Sequence, residues 1–211
     1  MKRLCKLLDG PPLCVKPDAE SPGDGLSLLS PVSGLPLTPE KVGDEVRTYD
    51  FSTPESTRDA IRYECVAQGL TLSAQIAYVL ATVEHEANDT WKPVREAYWK
   101  SEDWRKRNLR YWPYYGRGYV QITWEENYKK FSDILGFDLV KEPDLALDPA
   151  FALTILVYGF KHGSFTGKKL EDYVRERHVD FRNARRCING LDKANLIALL
   201  AEKWLKGESG G

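Results

Sequence analysis

The chain changes character at Thr53, and that change limits what it can fold into. Eight of its twelve prolines lie within the first 54 residues, together with five of its sixteen glycines. Residues 21–39 are dense in Ser, Pro, Gly and Leu, and no helical or strand period survives there. Residues 1–53 are therefore expected to form an irregular Pro-rich arm or linker. From Thr53 onward, helix caps and a 3.6-residue period take over. Residues 54–206 are expected to be one mainly α domain, followed by a flexible tail over 207–211. A length of 211 residues allows one well-buried domain with an appendage but is short for two.

Thr53, Pro54 and Glu55 are an N-cap, a first-position proline and a first-turn acid, and they predict a helix to Ala67 stopped by Gly69. Thr71 or Ser73 opens the next helix, whose apolar positions Leu72, Ile76, Val79, Leu80 and Val83 share one face. Ala74, Ala77 and Ala81 fill its other faces, so it should be buried on most sides. Further helices are predicted over 124–135, stopped by Gly136, and from Asp148-Pro149 through Phe160. Another opens near Asp180 and ends near Gly190. Asp192 caps the last, with Leu196, Leu199, Leu200 and Trp204 on one face. Residues 110–123 change to Tyr, Trp, Gly and Val and read as a small β-hairpin or extended loop.

Composition removes several classes of function. Thirty Lys and Arg oppose 31 Asp and Glu, for a formal net charge of -1. Global attraction to nucleic acid or an anionic membrane is not expected. No apolar run reaches the ~18–20 residues of a membrane span, so no stable membrane insertion is expected. Cys5, Cys14, Cys65 and Cys187 form no C-x-x-C pair and read as free thiols. Met1-Lys2-Arg3-Leu4 resembles the start of a signal, but Lys6 and Asp9 interrupt its apolar stretch, so no cleavable signal is expected. His85-Glu86 lacks the H-E-x-x-H spacing, and His162 and His178 stand alone. Neither a metal nor a cofactor is expected, and His85 reads as a structural hydrogen-bonding residue.

Three features carry chemistry. Glu86 ends the buried helix and lies about 60° from the centre of its apolar stripe. Poor solvation there, together with the negative helix end, favours a protonated carboxyl, as a general acid requires. A last-turn glutamate that reaches water is the plainer alternative. Five of the six tryptophans lie between Trp91 and Trp124, and residues 91–117 hold eight Lys or Arg against three acids. Rings interleaved with such side chains suit a sugar polymer or a single-stranded nucleic acid, and some of them would pack as core. In Tyr114-Tyr115-Gly116-Arg117-Gly118 the glycines flank an arginine without phosphate-loop spacing, which suggests a tight turn with close backbone approach. Gln121 and Thr123 would share one strand face, with Asn127 one helical turn later, as a hydrogen-bonding shelf for sugars.

These elements stand in a telling order: His85-Glu86, an acid ten residues on, the Tyr-Tyr-Gly-Arg-Gly block with Gln121 and Thr123, Asn127-Tyr128, Glu142-Pro143-Asp144, and Ile188-Asn189-Gly190. Over residues 57–205 the set resembles the catalytic domain of glycoside hydrolase family 19, a chitinase/lysozyme-like family, in its short bacteriophage endolysin form. The resemblance implies a lysozyme-like, two-lobed helical fold. It also implies an inverting, metal-free hydrolysis of β-1,4 links in peptidoglycan or chitin. By position, Glu86 matches the general acid and Glu96 the general base, with Glu102 as the alternative second acid. Tyr115, Gln121, Thr123, Asn127 and Asn189 match substrate-binding positions. The family usually has Thr after the acid, where this chain has Ala87; an acidic residue often follows the late Asn-Gly, where Asp192 is near and Lys193 sits at the ungapped match.

A monomeric peptidoglycan hydrolase, held in a host cytoplasm until the membrane is breached, is the leading expectation. A chitinase is the nearest rival. A non-catalytic cell-wall-binding relative and a single-strand nucleic-acid binder complete the set.

Overall fold

The computed structural model describes residues 49–207. The expected arm and tail lie outside the described residues, except for residues 49–53 and Gly207. Those first residues are not detached from the domain. Tyr49 and Phe51 pack on the core, and the Tyr49 hydroxyl donates to Glu64 Oε2 at 2.8 Å.

Seven α-helices stand among the described residues, and the fold is mainly helical and lysozyme-like. Helix α1 (Pro54–Ala67) starts as local chemistry dictates. The Thr53 hydroxyl accepts from Ser56 N–H at 3.0 Å, and Ser56 Oγ accepts from Thr53 N–H at 3.1 Å. Helix α2 (Ser73–Glu86) is the central rod. Every residue from Ala77 to Val83 is buried. Its N-cap is Leu72, with neither Thr71 nor Ser73 serving, and the nearby Gln75 side chain donates instead to Val174 O at 3.0 Å.

Helix α4 (Glu125–Leu135) ends at Gly136, and α5 (Pro149–His162) opens on Asp148, whose Oδ1 accepts from Ala150 N–H at 2.9 Å. Helix α5 holds Gly159 against the Phe165 ring, where a Cβ would lie 1.9 Å from ring carbon. Helix α6 (Phe181–Ala184) is shorter than expected. It passes into a 3-10 turn, Arg185–Cys187, well before Gly190.

Helix α7 (Ala194–Lys206) packs along α2. It starts after Lys193 in the left-handed region, without an Asp192 cap. The buried stripe is Ala194, Ile197 and Ala201; of the expected face Leu200 and Trp204 pack on the core, whereas Leu196 and Leu199 are exposed and are corrected. Small side chains let two helices approach closely, and that requirement outweighs the greater hydrophobicity of leucine.

One helix was not expected at all. Helix α3 (Glu102–Asn108) is capped by Ser101, whose hydroxyl accepts from Trp104 N–H at 3.2 Å. The β structure also differs from the expected hairpin. Strand β1 (Val94–Arg95) pairs antiparallel with β2 (Arg117–Gly118), with Arg95 directly opposite Arg117. A second two-residue pair, β3 (Val174–Arg175) with β4 (His178–Val179), forms a separate hairpin. Two like charges facing each other across a ladder repel. Asp144 relieves this, since it takes Arg95 at 2.7 and 2.9 Å and Arg117 Nε at 2.8 Å.

Both described cysteines, Cys65 and Cys187, are free and buried, and burial pushes their thiols up, Cys187 to about 12. No helix among the described residues is long and apolar enough to cross a membrane.

Candidate active site

Glu86 is the last residue of α2, beside the core face of a helix that is covered on every side. The expected apolar isolation is not found. Arg185, 3% exposed, places Nη1 at 2.6 Å from Glu86 Oε1. The same guanidinium donates through Nε to Asp192 O at 3.0 Å, and Arg185 O accepts from Asn189 N–H at 2.9 Å. One buried arginine thus joins the end of α2 to the loop that carries Asn189. The His85 carbonyl accepts from Asn88 N–H at 3.3 Å, while no hydrogen bond to its imidazole is seen among the described residues. Burial holds its imidazole below the usual value, against the opposing charge of Glu86.

Glu96 follows β1 and is held quite differently. Its Oε1 accepts from the Tyr111 hydroxyl at 2.7 Å, and its Oε2 accepts from Gly116 N–H at 2.8 Å. Both donors are neutral. Each carboxylate oxygen keeps a free lone pair that can take a proton from water. Gly116 makes this arrangement possible. A Cβ there would lie 2.7 Å from Gln121 Oε1 and 3.3 Å from Glu96 Oε2. Gly118, at φ +86°, brings the chain against Ala146 O, which a Cβ would meet at 3.0 Å. The two glycines therefore serve two different close approaches.

Gln121 does not lie on a strand face. Its φ of +52° is left-handed, a conformation that costs a non-glycine residue on the order of 1–3 kcal/mol. Its amide donates to Val94 O at 2.6 Å and to Gly118 O at 3.0 Å, leaving Oε1 beside Gly116 and Glu96. Thr123 donates to Gln121 O at 3.0 Å, and Asn127 donates to Thr123 O at 2.6 Å. The expected shelf exists as one hydrogen-bonded chain. Thr123, however, is 1% exposed, and its hydroxyl is turned onto backbone. It supports the row and presents no surface to a sugar.

Tyr115 is corrected in the same way. It is fully buried, with Arg117 over its ring at 3.7 Å and its hydroxyl shared by Arg95 and Glu102. Arg117, 3% exposed, donates to Pro113 O, Tyr115 O and the Tyr128 hydroxyl and pairs with Asp144. Glu102 is committed elsewhere, accepting from Arg105, Tyr115 and Trp112 Nε1. Burial pushes its carboxyl up, but the hydrogen bonds from Trp112, Arg105 and Tyr115 outweigh this and hold it below the usual range. Of the two candidates for a second acid, only Glu102 takes a hydrogen bond from a charged donor, Arg105, whereas both donors to Glu96 are neutral.

The aromatic cluster divides. Trp91, Tyr111, Tyr115, Tyr119 and Tyr128 are buried, while Tyr98, Trp99 and Trp112 are exposed. The structure therefore gathers Glu96, Gly116, Gln121 and Asn127 around β2, and joins Glu86 to the Asn189 loop through Arg185. Reading the sequence missed Arg185, Tyr111 and Asp144 as partners. Asp144 had a signal in the Glu-Pro-Asp triplet, whereas Arg185 is one of three arginines over 182–186 with nothing local to mark it. Among the described residues no cluster of His, Cys, Asp or Glu could hold a metal ion.

Residues 67–160 match the family model of glycoside hydrolase 19, described as chitinase class I. Two rice (Oryza sativa subsp. japonica) proteins are similar to the chain. Chitinase 5 is 35% identical over 85 residues, which cover 37% of this chain and 29% of the relative. Chitinase 11 is 47% identical over 47 residues, 22% of this chain and 18% of the relative. The chain thus spans less than a third of either relative. The family match contains Glu86, Glu96, the glycine turn and Asp144, but neither Arg185 nor Asn189. Residues 67–160, somewhat under half of the chain, are thus the part that is similar to glycoside hydrolase family 19.

Proposed function

We propose that the protein is a glycosidase that hydrolyses β-1,4 links between N-acetylated amino sugars, with peptidoglycan as its substrate. The observation that carries this reading is the pair of carboxylates within the family segment, held in contrasting ways. Glu86 protonates the glycosidic oxygen as the C1–O bond breaks. Glu96 removes a proton from a water whose oxygen joins C1 from the opposite face. The product has inverted configuration, and proton exchange with solvent resets both groups. Gln121 Oε1, the Asn127 side-chain carbonyl and Asn189 Nδ2 can meet hydroxyl and acetamide groups, while Asn189 Oδ1 accepts from Gly190 N–H at 2.9 Å. Likeness to the short endolysin forms favours peptidoglycan and a role in host-cell lysis after release from the cytoplasm.

Chitin is the second reading, favoured by the similarity to the two rice chitinases. Incubation with purified peptidoglycan and with N-acetylglucosamine oligomers, followed by assay of new reducing ends, tests both. Proton NMR of the first product is expected to show the α anomer. Absence of new reducing ends from either substrate would remove the proposal.

A further inference from the structure

The segment that runs from Trp91 through Glu96 to the end of α3 and on to Trp112 combines many cations with exposed rings. Residues 91–112 hold seven Lys or Arg against three acids, in a chain whose formal net charge is -1. Two of these cations are spent internally. Arg95 is paired with Asp144, and Arg105, 7% exposed, with Glu102. The other five, Lys92, Lys100, Lys106, Arg107 and Arg110, are exposed, with Arg110 over the Trp124 ring. Lys100 Nζ lies 5.4 Å over the Trp104 ring and Lys106 Nζ 4.9 Å over the Trp112 ring. An ammonium resting on a ring keeps its N–H donors available to solvent or a ligand.

Directly before Lys100 in the chain stand two large rings, neither with a cation over it among the described residues. Tyr98 and Trp99 are each 52% exposed and meet edge to face at 5.2 Å. Exposed apolar area of this size forgoes about 25 cal/mol per Å² of burial, so its retention on a well-packed domain calls for a use. The pair is not on a loose loop. Arg105 donates to Ala97 O at 2.8 Å and to Lys100 O at 2.7 Å, clamping both ends of the turn onto α3. A platform ordered in advance loses less freedom on binding. Tyr98 is also only two residues from Glu96.

We propose that Tyr98, Trp99, Lys100, Lys106 and Arg107 form a docking ridge for a glycan strand that bears carboxylates on its peptide or lactyl substituents. This rests on the glycosidase reading above and names the substrate feature that the site selects. The rings take the C–H faces of the sugars, and the three cations take the carboxylates. A neutral β-1,4 N-acetylglucosamine polymer would use the rings and leave the cations without partners. The ridge thus supplies discrimination through charge, and it speeds encounter at low ionic strength.

The test is retention of the full protein on insoluble peptidoglycan and on chitin beads, read as bound fraction without turnover. The probes are wild type, the triple variant Lys100→Glu/Lys106→Glu/Arg107→Glu, and Trp99→Ala, each checked for an unchanged melting transition. Wild-type retention on peptidoglycan is expected to fall with added salt, and the triple variant to bind peptidoglycan about tenfold more weakly relative to chitin. Trp99→Ala is expected to weaken retention on both polymers. A triple variant that binds like wild type, or that loses both polymers equally, overturns the ridge. So does preferential capture of single-stranded DNA over peptidoglycan in competition. Salt-dependent, variant-sensitive retention by a protein that releases no reducing ends would uphold the ridge and defeat the glycosidase reading alone.

Discussion

The two carboxylates of the site are held by opposite means. Glu86 is fixed by a full positive charge that arrives from 99 residues along the chain. Glu96 is fixed by a phenol and a backbone amide no more than 20 residues away. An ionic clamp on a poorly solvated group is costly to break, because removing one charge strands the other. A neutral clamp sets direction and leaves the carboxylate charge to act on whatever lies in front of it. The contrast separates a carboxyl fixed by charge from one fixed by direction alone.

The largest expected effect tests the ionic half. Arg185→Ala should lose about 3 kcal/mol of stability, measured by denaturant unfolding, because Glu86 is left beside the core without its partner. Tyr111→Phe removes the neutral hydrogen bond to Glu96 and should lose about 1 kcal/mol. Equal losses in the two variants would erase the distinction between the clamps. Gly116→Ala comes next. The added methyl must displace Gln121 Oε1 and crowd Glu96, which should cost about 1–3 kcal/mol and reduce turnover by more than that stability loss accounts for. Wild-type turnover in this variant would mean that the turn does not set the geometry of Glu96.

The smallest effect concerns the support beneath β1 and β2. Burial raises the Asp144 carboxyl, but hydrogen bonds and charge from Arg95 and Arg117 prevail and hold it below the usual range. A carboxyl depressed on folding contributes stability that is present above its unfolded value of about 3.9 and lost as the pH falls through the lower folded value. Asp144→Asn should therefore lose about 1 kcal/mol at neutral pH, a modest figure because Asp144 is largely exposed, and should flatten the acid side of the stability curve. Melting temperatures measured from pH 2 to pH 7, a span of about five units around the carboxylate range, check both points. An unchanged acid limb would show that Asp144 does not clamp the two arginines in solution.

Local chemistry was readable and long-range pairing was not. Helices α1, α4 and α5 announce themselves because a capping side chain, a first-position proline or a terminal glycine acts within a few residues of the boundary. Helix α3 has its Ser101 cap and first-turn acids in plain view, yet its seven residues are too short and too charged to show an apolar period. The β pair escaped notice because each strand has two residues, and its register depends on Asp144 more than on alternation. Glu86 was identified from helix geometry, but its arginine partner lies outside the family segment and carries no local mark. Gln121, Thr123 and Asn127 form one hydrogen-bonded row. Which of them faces outward is decided by backbone carbonyls that no spacing rule reveals.

Turnover of Glu86→Gln, on whichever polymer yields reducing ends with the wild type, bears most directly on the paired-carboxylate mechanism. Circular dichroism at the assay temperature must first show a folded protein, since the substitution also removes the ionic partner of Arg185. A folded variant should be slower by about 10²–10⁴-fold, the usual contribution of a positioned proton donor. A folded variant within about twofold of wild type, far short of that contribution, would take Glu86 out of the chemistry.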